Sequence, residues 1–137
     1  MVDLIKSSKI SAAGLKAQAE RLRVVSENLA NANSTGKRPD EDPFRRKTVT
    51  FANELDKALG ARMVKVKTVG TDKSDFVKRY EPGHPAADAT GYVKYPNVNP
   101  LIELSDLREA QRSYEANLAA IEMSKAMLAR TIDLLRS

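Results

Sequence analysis

The single histidine of the chain, His84, sits in the string Glu81-Pro82-Gly83-His84-Pro85, with Asp88 four residues further on. An imidazole flanked by two carboxylates has the ligand types of a metal site and the partners of acid/base catalysis. The prolines and the glycine around it predict a turn instead, in which the ring packs or hydrogen-bonds locally. The acid pairs Asp40/Asp42 and Asp72/Asp75 lie in polar, turn-rich stretches without the apolar wall that raises a carboxylate pKa. Zero cysteines leave no thiol nucleophile, no thiolate metal ligand and no disulfide framework. Neither a glycine-rich phosphate loop nor a dinucleotide fingerprint occurs. The expectation is a chain with no catalytic residue, no cofactor and no metal.

Cations offer a second chemistry. Lys37-Arg38 and Arg45-Arg46-Lys47, with Phe44 and Phe51 nearby for stacking, could contact phosphates, and the formal net charge is +5. The alternative function this supports is a small basic nucleic-acid-binding module that dimerises through its terminal helices. Asp40, Glu41 and Asp42 stand between the two clusters and cancel the local field, which favours a chain with no nucleic-acid partner.

The elements that would position these residues divide the chain into three. All 6 prolines lie between Pro39 and Pro100, and only Gly14 of the 6 glycines lies outside the middle. The expected segments are an N-terminal helix within 1–35, a strand- and loop-rich region over 36–104, and a C-terminal helix within 105–137. Leu15, Leu22 and Leu29 recur at heptad spacing, giving a helix from about Leu4 to Asn31, with Asn31, Asn33 and Gly36 supplying a left-handed stop. Leu107, Tyr114, Ile121, Leu128 and Leu135 repeat the spacing, Leu118 widens the face, and Ser105 is the expected N-cap of a helix running to Arg136. Arg45–Phe51 and Met63–Val69 read as strands, Asn53–Leu59 as a short helix, and Tyr80–Pro100 as a long loop or irregular hairpin.

The fold class expected is mainly α, with the two terminal helices pairing as a coiled coil around a β-strand and loop-rich centre. A helix of about 32 residues spans roughly 48 Å, whereas a compact chain of this size is under about 40 Å across. The nine residues Leu15, Leu22, Leu29, Leu107, Tyr114, Leu118, Ile121, Leu128 and Leu135 therefore form the candidate assembly interface, completed by neighbouring subunits. The apolar runs stop at four residues, as in Leu118–Ile121, so neither a secretory signal nor a membrane span is expected.

Three strings carry a resemblance. RLRVVSENLANANSTG (Arg21 to Gly36) is similar to the N-terminal signature of the bacterial flagellar rod and hook axial proteins. YEPGHPAADATGYVKYPNVNPLIE (Tyr80 to Glu103) and REAQRSYEANLAAIEMSKAMLARTIDLL (Arg108 to Leu135) narrow it to the proximal rod proteins of the basal body. RPDEDPFRRK (Arg38 to Lys47) departs from the family in its acids and in Phe44. The resemblance implies a non-enzymatic structural subunit that transmits torque and lines the export channel. It also implies a place in the periplasmic part of the basal body, reached by flagellar type III export without a cleaved signal peptide. Implied partners are other proximal and distal rod subunits, further copies of the chain, the MS ring and the export-gate adapter protein, with no direct insertion into the membrane.

Overall fold

The computed structural model describes residues 2–137; Met1, the first residue of the expected N-terminal segment, lies outside the described residues. The order is α1 (Val2–Ala30), β1 (Lys47–Asp56), β2 (Ala61–Thr71), β3 (Val77–Tyr80), β4 (Tyr92–Tyr95) and α2 (Pro100–Arg136). Helix makes up 49% and strand 21%, with the strands in two small antiparallel sheets, β1–β2 and β3–β4. The mainly α class is thereby corrected to a mixed α and β chain that keeps its two long terminal helices. Longer β1 and β2 and the additional strands β3 and β4 make the difference, and the expected helix at Asn53–Leu59 does not form. Its first half continues β1, and its second half is a turn in which Asp56 Oδ1 accepts from the backbone N–H of Ala58 and Leu59 at 3.0 and 3.2 Å. Gly60, at φ 65°, then turns the chain into β2.

The chain divides into two compact units. The first takes the residues up to Leu22 together with Val49–Thr68 and Arg108–Ser137. There α1 and α2 run antiparallel, since Gly14 meets Asn117 while Arg21 reaches Glu109 at 3.4 Å. A Cβ on Gly14 would stand 2.9 Å from the amide end of the Asn117 side chain, so a larger residue there would require Asn117 to move aside. Ala17 and Ala110, in the same unit, are also buried.

The second unit takes Arg23–Thr48 and Val69–Leu107. Its apolar centre is small: Ala86, Val93 and Tyr95 form one cluster, with Ala87 against it. In the β3–β4 register Val77 faces Tyr95 and Tyr80 faces Tyr92. The connection between these strands is the irregular hairpin that Tyr80–Pro100 suggested. Asp88 Oδ1 holds it by accepting from Thr90 N, Thr90 Oγ1 and Tyr92 N at 2.9, 2.6 and 3.0 Å. Gly91 has φ 88°, and a Cβ there would meet the Tyr80 ring at 2.7 Å.

Both helix ends differ from expectation. α2 starts five residues before Ser105, because Asn99 is the N-cap: its Oδ1 accepts from Leu101 N at 3.1 Å and its carbonyl from Glu103 N at 3.0 Å. Pro100 follows at the first helical position, where a missing N–H costs nothing. α1 stops without a left-handed residue, since no non-glycine φ is positive among the described residues. Asn31 closes it instead by donating from Nδ2 to the Glu27 carbonyl at 2.9 Å.

Candidate assembly interface

The deepest line along α2 is not the leucine row. Glu103 in the second unit and Ala110 in the first are both 0% exposed, Ser124 is buried, and Asn117 and Thr131 are half-buried, all at heptad spacing. Leu107, Tyr114, Ile121 and Leu128 flank that line and are half-buried, as are Leu15, Leu22 and Leu29 on α1. Leu118 is 40% exposed and Leu135 74% exposed. The nine residues thus lie beside the close helix contact, on surfaces their own chain covers only in part. At the centre, Gly14 sets the α1 backbone directly against the Asn117 side chain.

A polar lock in the second unit escaped the sequence reading. Asn28 is 0% exposed, and its side-chain amide pairs with the backbone of Lys47 in both directions at 2.9 Å, as a neighbouring strand residue would. Its Nδ2 also lies 3.4 Å from Glu103 Oε2. Arg46 Nε donates to Glu103 Oε1, and the same guanidinium stands 3.6 Å from Asp72 and 3.8 Å from Asp106. A buried carboxylate persists only with such compensation. Burial opposes the Arg46 charge most strongly, but the Glu103 hydrogen bond and the charges of Glu103, Asp72 and Asp106 together hold it above its ordinary value. The backbone N–H and then the hydroxyl of Ser74 hold Asp72 below the usual carboxylate range.

The Arg45-Arg46-Lys47 cluster is engaged inside the chain. Lys47 Nζ meets Glu27 at 2.6 Å, and Arg45 donates to the carbonyls of Asp72 and Ser74 while lying 4.2 Å over the Phe76 ring. Lys37 and Arg38 stay exposed. His84 accepts from Ala86 N through Nδ1 at 3.0 Å and places Nε2 3.4 Å from Thr35 Oγ1. Glu81 is engaged elsewhere, accepting from Tyr95 Oη at 2.9 Å, and Asp88 holds its turn. Among the described residues no group of three or more His, Asp or Glu is gathered for a metal ion, and no helix is long and apolar enough to cross a membrane.

Two family patterns match the chain. Residues 9–36 match "Flagella basal body rod protein", and residues 89–134 match "Flagellar basal body rod FlgEFG protein C-terminal". Relatives extend this over the whole length. The chain is 57% identical to the flagellar basal-body rod protein FlgC of Agrobacterium fabrum, over 100% of this chain and 99% of that protein. It is 41% identical to the FlgC of Salmonella typhimurium, over 96% and 97%, and 39% identical to that of Bacillus subtilis, over 93% and 95%. The chain belongs to the FlgC family of flagellar basal-body rod proteins. Its role is that of a structural rod protein. The first matched stretch contains Asn28 and the second Glu103, the two fully buried polar residues of the lock.

Proposed function

We propose that this chain is a proximal rod subunit whose terminal helices complete their burial against neighbouring subunits, transmitting torque and forming part of the export channel wall. The observation that carries the reading is the open end of the helix pair in the first unit. There Val2 and Ile5 of α1 and Met127, Ile132, Leu134 and Leu135 of α2 all remain exposed, Leu134 by 77%. Apolar side chains gathered at one helix end mark a contact surface more than they mark solvent. The nine flanking residues from Leu15 to Leu135 extend that surface along both helices.

In this reading the role is non-enzymatic, the terminal helices form the axial core, and residues 36–104 reach other rod subunits, the MS ring and the export-gate adapter. The location is the periplasmic part of the basal body, reached through the flagellar type III system. Electron microscopy of a strain lacking the gene tests it. Rod, hook and filament are expected to be absent and to return with the wild-type gene; intact hooks and filaments without it would overturn the reading.

A further inference from the structure

In the first unit, α1 and the tip of the β1–β2 hairpin enclose an open groove of about 770 Å³, extended by a neighbouring hollow of about 490 Å³ that shares Ala13, Lys16, Asp56 and Met63 with it. Its floor is apolar, including Ala13, Leu55 and Met63. Its charges are mostly accounted for within the chain. Lys65 pairs with Glu54 at 3.3 Å, and Asp56 holds the hairpin turn. Lys9 and Lys16, seven residues apart on the rim, have no such partner among the described residues.

The same unit carries a surface of matching form. On α2, Glu115 and Glu122 lie seven residues apart on the side away from the Ala110–Asn117–Ser124 line, exposed and likewise without a partner among the described residues. Ala119 and Ala126 beside them are exposed and small, and Met123, 62% exposed, stands out as a flexible apolar knob. In each pair the two charges are about 10.5 Å apart along the helix axis. Because the acidic side of α2 faces away from α1, this α2 cannot turn it into the groove that its own α1 lines.

We propose that the groove receives α2 of a second copy of the chain, with Met123 on the apolar floor and Glu115 and Glu122 against Lys9 and Lys16. The contact deepens the rod-subunit reading and rests on it. It joins two different surfaces, so it repeats head to tail and builds a ring or an open helical array unless two copies close it reciprocally.

The test uses full-length chains in a strain deleted for the gene. Lys9→Glu with Lys16→Glu is expected to abolish swimming and rods, and so is Glu115→Lys with Glu122→Lys, each with native helical content by circular dichroism. Co-expressing the two double variants is expected to restore both, because each supplies the charge the other has lost. Either double variant swimming like wild type overturns the contact, and so does failed restoration between two folded variants. The absence of cysteine provides a second measurement should a reversal cost helical content. Lys16→Cys and Glu122→Cys chains, co-expressed, are expected to give a disulfide-linked dimer in isolated basal bodies, and no link there overturns the contact. Rods in the deleted strain alone would overturn the rod reading itself. Rods missing there while the double variants swim would overturn only this contact.

Discussion

Glu103 is the residue on which most of the second unit's polar chemistry converges: buried, charged, and held by Arg46 and Asn28. A buried ion pair adds little stability over an apolar pair of the same shape, but removing one partner strands the other charge. Arg46→Ala is therefore expected to destabilise the chain by about 3–5 kcal/mol, read as a lowered urea midpoint. A loss well under 1 kcal/mol would mean that Glu103 reaches water or another partner at little cost. Asn28 differs in kind, because its amide replaces a missing strand neighbour for Lys47 and thereby couples the end of α1 to the start of β1.

At the scale of the elements, α2 depends on its N-cap. Asn99→Ala is expected to cost about 1 kcal/mol, measured by thermal or urea unfolding, whereas Ser105→Ala, at the position first expected to cap, should change stability by less. The two terminal helices were legible because Leu15–Leu22–Leu29 and Leu107–Tyr114–Ile121–Leu128–Leu135 repeat at a period no strand can use. Their start and their inner face were not. Asn99-Pro100 is a cap signal that the stronger-looking Ser105-Asp106 obscured. A row of Glu, Ala, Asn, Ser and Thr yields no hydrophobic period, although it is the row that fits a close helix contact. The hairpin was half legible: Val64, Val66 and Thr68 alternate as a strand should, but Asn53–Leu59 has helix-forming residues that the Asp56 turn and Gly60 override. Asn28, Arg46 and Glu103 stand far apart in the chain as ordinary polar residues, and only the fold brings them together.

For the whole molecule, acid is the expected point of weakness. Asp42 is held below its ordinary value of 3.8 by its hydrogen bond to Lys94, Asp72 by Ser74, and Asp88 by the Thr90 hydroxyl. Each is ionised more readily folded than unfolded, so the folded state gains from all three above that ordinary value and loses the gain as pH falls through their lower folded values. Urea midpoints are expected to hold steady from neutral pH down to the usual carboxylate range and to drop below it. In Asp88→Asn the drop should be shallower, and an unchanged slope would exclude Asp88 from it. The Glu103–Ala110–Asn117–Ser124–Thr131 row bears on when a chain of this family sticks to others. A helix whose deepest row carries a carboxylate, an amide and hydroxyls, with one alanine among them, shows solvent mostly polar groups once parted from its partner, where a leucine zipper would show grease, so that row adds little drive toward indiscriminate aggregation. On the rod-subunit reading proposed above, adhesion is left to the flanking leucines and the open helix end, surfaces that bind firmly only when a correctly shaped neighbour covers many of them at once, and the row restrains premature polymerisation.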